Sequence, residues 1–240
     1  MKKQAVSRLL KTAGDHFNDM VDLIWPKICL ACESPLYKHE ENLCTICLVS
    51  LPKTNFHRLE DNPVSRMFWG KAKIEAAASC FHFEKSGPVQ HLIHQFKYKG
   101  FKEIGVEIGR QYGAELKGIP PYNDVDLIIP VPLHKSKKKK RGYNQSDFFA
   151  AGLSQGMGVP YDAALLFRIK DTETQTHKTR YERFTNVEKI FMLKEDHEIS
   201  GRHVLLVDDV LTTGSTLEAC AHVLAAAGNK VSVATMAFAK

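Results

Sequence analysis

In VLLVDDVLTTGST, residues 204 to 216, two adjacent carboxylates, Asp208 and Asp209, close an apolar run, and Thr212, Thr213, Gly214, Ser215 and Thr216 follow at once. Side-by-side carboxylates repel, and sugar hydroxyls or a divalent cation would relieve them. A helix is expected to start near Ser215, and the first N–H groups of a helix have no intrahelical acceptor while its dipole favours an anion. Small residues let the loop backbone come near, and the hydroxyls add donors. An acid pair one sugar length from an anion cradle points to a sugar phosphate. Taken singly, the same residues also read as a turn and an N-cap. Other phosphate motifs are absent: no lysine follows Gly214 as a P-loop needs, and GMGVPY lacks the last glycine of a dinucleotide fingerprint.

Two further groups could do chemistry. HKSKKKKRGYNQ carries Lys135, Lys137, Lys138, Lys139, Lys140 and Arg141 with no acid between them, six cations that match the whole formal excess of +6. They read either as a solvated loop or as a site for polyphosphate or nucleic acid, with Tyr143 beside them to stack on a base. Cys29, Cys32, Cys44 and Cys47 form two CxxC pairs separated by eleven residues. Four thiolates so spaced predict a closed, structural Zn2+ site. The spacer is shorter than the common 15 to 20, roughly, and the rival is a pair of disulfides, which a reducing cytoplasm disfavours. Cys80 and Cys220 lie in apolar patterns and are expected in the core.

These groups need a scaffold. At 240 residues and 44% hydrophobic, the chain can bury one good-sized core with a small appendage. No apolar run reaches the ~18 residues of a membrane span, and the first residues lack the apolar stretch of a signal peptide. No membrane insertion and a cytoplasmic location are therefore expected. Residues 6–24 carry a helical apolar stripe that Pro26 stops. With the double CxxC they make an expected N-terminal unit, 1–55, and NFHRLEDNP reads as the linker into a main domain, 56–240. There, AAASCFHF (76–83), VDLIIPVPL (125–133), RHVLLVDD (202–209) and KVSVATMAFA (230–239) read as strands. Segments 89–97, 102–118, 144–158 and 215–228 read as helices. In the second of these, Gly105, Gly109 and Gly113 fall in register and predict a helix pressed against a neighbouring sheet. The alternation predicts an α/β fold, a mostly parallel twisted sheet with helices on both faces. The polar stretch 170–189 reads as a long loop or lid.

VLLVDDVLTTGST resembles the signature of type I phosphoribosyltransferases. Together with WPKICLAC and its second CxxC, RGYNQS, and TETQTHKTRYERFTNVE, it resembles the ComF (GntX-like) family, a phosphoribosyltransferase-like group linked to DNA uptake in natural transformation. The resemblance implies the type I phosphoribosyltransferase fold and binding of phosphoribosyl pyrophosphate (PRPP) with Mg2+. Asp208 and Asp209 would hold the ribose hydroxyls, and Thr212, Thr213, Gly214, Ser215 and Thr216 the 5-phosphate. Lys140, Arg141 and Gly142 would meet the pyrophosphate, and Gln175, Arg180, Arg183 and Asn186 would belong to the lid. Lys178 stands where many relatives are expected to carry leucine. A glutaminase half of the kind some phosphoribosyltransferases carry would need an N-terminal cysteine, and this chain begins Met1, Lys2, Lys3.

The resemblance implies two functions. One is a transferase moving the pentosyl group of PRPP to an acceptor, with Asp208, Asp209 and Arg141 as catalytic residues; neither the acceptor nor a general base is legible in the chain. The other is a non-catalytic component that binds single-stranded DNA or senses PRPP, alongside DNA uptake or helicase proteins. Lys135, Lys137, Lys138, Lys139, Lys140 and Tyr143 would then lie on the strand.

Overall fold

The structure, a computed structural model, describes residues 26–169, 190–194 and 199–239. The expected N-terminal helix, Lys178 and the lid residues Gln175, Arg180, Arg183 and Asn186 lie outside the described residues. The chain divides into two compact units, one ending at Leu51 and the other beginning at Pro52. The first holds the CxxC turns and a short helix, α1 (Thr45–Ser50).

The second unit runs α2 (Pro63–Arg66), β1 (Ala76–Phe83), α3 (Pro88–Tyr98), α4 (Glu103–Leu116), β2 (Leu127–Pro130), α5 (Lys135–Arg141), α6 (Gln145–Met157), β3 (Leu166–Arg168), β4 (Phe191–Leu193), β5 (His203–Leu211), α7 (Ser215–Ala226) and β6 (Lys230–Ala239). Strands β1, β6, β5 and β2 form, in that order, a parallel sheet, and β3 pairs antiparallel with β4 in a separate hairpin. Val204, Leu205, Leu206 and Val207 are all fully buried. That is why this stretch is continuously apolar instead of alternating: both faces of a parallel sheet are covered. Each such side chain contributes about 1.5–3 kcal/mol by leaving water. On one face, Val204 and Leu206 share a core with Phe68, Leu217, Leu224 and Phe191, from the segment after α2, from α7 and from the hairpin. On the other, α6 packs on β5 and β2, and α4 packs on α6. Among the described residues, no helix is long and apolar enough to cross a membrane.

Three sequence expectations are corrected. The glycine stripe of α4 meets a helix, not a sheet. A Cβ on Gly109 would fall 2.5 Å from the Phe149 carbonyl oxygen, and one on Gly152 2.3 Å from that of Val106. Because α6 already covers the strands, α4 forms a second layer, and the facing glycines let the two backbones touch. NFHRLEDNP is no linker. Asn62 is buried; its Oδ1 accepts from the N–H groups of Val64 (2.9 Å) and Ser65 (3.1 Å), and its amide donates to the carbonyls of Leu59 (2.9 Å) and Ala77 (3.0 Å). This caps α2 and ties it to β1. Finally, the lysine run is helical. His134 Nδ1 accepts from the Ser136 N–H at its start, Gly142 closes its end at φ +81°, and the cations crowd its last turn, where the helix dipole favours them.

Candidate functional site

Beyond the carboxyl ends of the strands, where open α/β sheets bind ligands, lies a cavity of about 480 Å³. Asp208 and Asp209 line it. They sit within β5, which runs on to Leu211. Neither carboxylate is bare. Asp208 Oδ1 accepts from Ser146 Oγ (2.9 Å) at the start of α6 and from the Asp209 N–H (2.8 Å). Asp209 Oδ2 lies 2.8 Å from the Lys97 ammonium, and these two side chains are 12% and 17% exposed. Burial, and then the neighbouring Asp209 charge, push the Asp208 carboxyl up to about 7. Sequence reasoning missed both partners. Lys97 is the cation that ends the apolar face of α3 (Val89, Leu92, Ile93, Phe96), the one signal that pointed to it.

The residues expected to cradle a phosphate, Thr212, Thr213, Gly214, Ser215 and Thr216, form with Asp208, Val210, Leu211 and Leu217 a small hollow of about 30 Å³. Gly214 adopts φ +79° as the N-cap of α7, a left-handed conformation that glycine takes without strain, and no side chain caps the helix. Its first hydrogen bond runs from the Glu218 N–H to the Gly214 carbonyl (2.8 Å), so the N–H groups of Ser215, Thr216 and Leu217 have no acceptor within the helix. The side chains of Thr212, Thr213, Ser215 and Thr216 are exposed around them, Thr213 Oγ1 lying 3.1 Å from Ser215 Oγ. This is a donor-rich rim.

The cationic candidates divide. Lys137 and Arg141, one turn apart on α5, both line the cavity. Arg141 donates to Gln145 Oε1 (3.0 Å) and lies 5.4 Å over the Tyr98 ring. Lys140 and Gly142, expected at the pyrophosphate, are not among the lining residues: the helix aims Lys138, Lys139 and Lys140 into solvent. Lys135 is its first residue. Tyr143 is corrected outright. It is 7% exposed, its hydroxyl donates to the Phe96 carbonyl, and Lys102 covers its ring at 5.1 Å, so no face is left to stack on a base. Arg168, overlooked in the sequence, adds a further cation to the cavity wall.

The second candidate is the thiol cluster. The Sγ atoms of Cys29, Cys32, Cys44 and Cys47 all lie within 4.8 Å of one another, and those of Cys32 and Cys44 are 3.7 Å apart. Zinc–sulfur bonds of about 2.3 Å in a tetrahedron set sulfurs about 3.8 Å apart, so the four could hold a metal of that kind. The backbone N–H of Cys44 donates to Cys29 Sγ and that of Cys47 to Cys44 Sγ, both at 3.3 Å. Glu40 braces the turn through the N–H groups of Thr45 (2.6 Å) and Tyr37 (2.9 Å), bonds that hold its carboxyl below the usual range. Hydrogen bonds from Ser34 bring the Cys32 thiol down to about 6, while burial pushes Cys44 and Cys47 up.

The phosphoribosyl transferase domain family matches residues 144–240. The chain is similar to the DNA utilization protein YhgH of Salmonella typhi, 29% identical over 213 residues that cover 83% of this chain and 91% of that protein. It is similar to competence protein F of Haemophilus influenzae, 34% identical over 134 residues (54% of this chain, 58% of that one), and to competence protein ComFC of Bacillus subtilis, 26% identical over 210 residues (87% and 82%). Among solved structures, the glutamine PRPP amidotransferase of B. subtilis aligns with a TM-score of 0.41 at 18% identity, covering 59% of this chain and 30% of that one. The present chain thus spans about a third of that protein. Adenine phosphoribosyltransferase from Saccharomyces cerevisiae aligns with a TM-score of 0.38 at 13% identity, covering 61% and 73%.

The matched domain, the parallel sheet and the cavity at its carboxyl edge define a type I phosphoribosyltransferase fold. Relatives named for competence and DNA utilization align with 54–87% of its length, so the chain is similar to the ComF group of phosphoribosyltransferase-like proteins.

Proposed function

We propose that this chain binds PRPP together with magnesium and serves DNA uptake, a reading supported by its similarity to proteins named for competence and for DNA utilization. One observation carries the reading: the cavity bordered by the acid pair and the cations Lys137 and Arg141, and the hollow at the uncapped helix N-terminus, adjoin at the carboxyl ends of the strands and share Asp208, Val210, Thr212 and Thr216. Asp208 and Asp209 take the ribose hydroxyls, the Thr212–Thr216 turn takes the 5-phosphate, and Arg141 with Lys137 takes the pyrophosphate. Carboxylate and phosphate oxygens suit magnesium, which would neutralise the leaving group. In a transfer, an acceptor forms its bond to C1 as the C1–oxygen bond breaks and pyrophosphate departs with the electron pair. The chain's part is positioning and electrostatics: the acids face the positive charge on the sugar, and the guanidinium meets the departing anion. Calorimetry with PRPP and magnesium tests this. Binding by the wild type that is lost in Asp208→Asn with Asp209→Asn supports it; no heat with the wild type sinks it.

A second reading has its own support. Lys138, Lys139 and Lys140 point into solvent and away from the cavity, more charge than one pyrophosphate requires. In this reading α5 grips the backbone of single-stranded DNA, without stacking from Tyr143. Affinity should then fall steeply with salt, with a shallower slope once the three lysines are alanine; flat or absent binding counts against it. The four thiolates hold zinc in a closed site that stabilises the first unit and has no open position for chemistry.

A further inference from the structure

Under the PRPP reading, on which this inference rests, Asp208 and Asp209 take the pentose, yet Lys97 already occupies one of them. Its ammonium, 2.8 Å from Asp209 Oδ2 with both side chains largely out of water, makes a charge-assisted hydrogen bond. Neutral hydroxyls can replace it only by taking the nearest counter-charge from a largely buried ammonium, which is unfavourable. A ligand with an anion close to those hydroxyls removes the penalty, because the ammonium moves to the anion as the hydroxyls take the acid. The 5-phosphate cannot play that part: the hollow that would receive it is lined by residues from Asp208 to Leu217, and Lys97 is not among them. An anion at C1 can, since Lys97 shares the main cavity with Lys137 and Arg141.

We propose that Lys97 is the specificity-determining residue of the site: by exchanging Asp209 for a C1 diphosphate, it admits pentose phosphates that carry that diphosphate and disfavours those that do not. No covalent step is involved; one ion pair is traded for another.

The test is calorimetry with PRPP and with ribose 5-phosphate, each with magnesium, on the wild type, Lys97→Met and Lys97→Arg, with thermal melts to check folding. The wild type should bind PRPP at least about tenfold more tightly than ribose 5-phosphate, the scale of one charge-assisted bond. Lys97→Met should lose most of that ratio by weakening PRPP while ribose 5-phosphate binds as well or better, and Lys97→Arg should keep it. Equal weakening of both ligands, or an unchanged ratio, overturns the proposal. Where Lys97→Met does not fold, the ratio in Lys97→Gln decides by the same criteria. A wild type that binds neither compound would sink the PRPP reading itself, a distinguishable failure.

Discussion

The thiol cluster and the acid cavity are built in opposite ways. The four sulfurs come from two turns between Cys29 and Cys47, held by hydrogen bonds within that stretch. The cavity draws Lys97 from α3, Arg141 from α5, Ser146 from α6, the acids from β5 and Thr216 from α7. A site made locally announces itself as a spacing motif and fails only when its own residues change. One assembled from distant elements contains partners that no motif announces, and it can be damaged from afar.

The largest effect expected is at the thiols. The wild type, purified under reducing conditions, should carry one zinc per chain by mass spectrometry. Cys44→Ser should abolish it and open the segment from Pro26 to Leu51 to proteases, since structural zinc contributes on the order of 10 kcal/mol to such modules. A metal-free wild type that resists proteolysis would remove the basis for treating this cluster as metal-built. Next comes the cavity's own chemistry. Asp208→Asn with Asp209→Asn removes two charge-assisted acceptors at about 1.5–3 kcal/mol each, so PRPP affinity should fall by roughly a hundredfold or more.

Damage from a distance separates the two sites. Gly152→Val, on α6 beyond Ser146, forces side-chain atoms against the Val106 carbonyl of α4. It should cost about 1–3 kcal/mol in chemical denaturation and also weaken PRPP several-fold by shifting Ser146 beneath Asp208. Unchanged PRPP affinity in that variant would mean that the cavity is as self-contained as the thiols. The smallest effect concerns pH. Asp208 is raised from 3.8 to about 7 in the fold. Below about pH 4 its carboxyl is neutral folded or unfolded and costs nothing. Between about 4 and 7 the unfolded chain releases the proton that the folded chain keeps, so stability falls as pH rises, and above 7 the full cost remains. Melting of the ligand-free protein should therefore decline across this window, less so for Asp208→Asn; an identical slope would show that the charge is relieved without ligand.

Much of the fold is legible in residue patterns. The strand expected over 76–83 is β1 to the residue, and the apolar run before the acids is the buried strand beside the sheet centre. The helices 89–97 and 144–158 differ from α3 and α6 by a residue or so at each end. Amphipathic stripes and apolar runs encode these elements directly, because each need only bury its own apolar side. The acid pair and the small-residue turn are legible for the same reason. Partnership is not. The glycine stripe signals close approach, but nothing in α4 distinguishes a sheet from α6 as the surface approached. Tyr143 beside a lysine run reads as a stacking platform until Lys102 and the Phe96 carbonyl are found upon it. Helical geometry sends Lys140 outward and Lys137 inward, a choice that a run of identical residues does not encode.

Residue types and spacing alone settled the cysteine set, two carboxylates directly after a buried apolar run, and the parallel class of the sheet, because turns, caps and apolar periodicity act over a few residues; that β5 continues past the acids to Leu211 was not legible. Tertiary packing alone decided that Lys97 would rest on Asp209 and Ser146 on Asp208. Those contacts join positions dozens of residues apart, and a carboxylate's choice of counter-charge depends on which side chains the layers bring within about 3 Å of it.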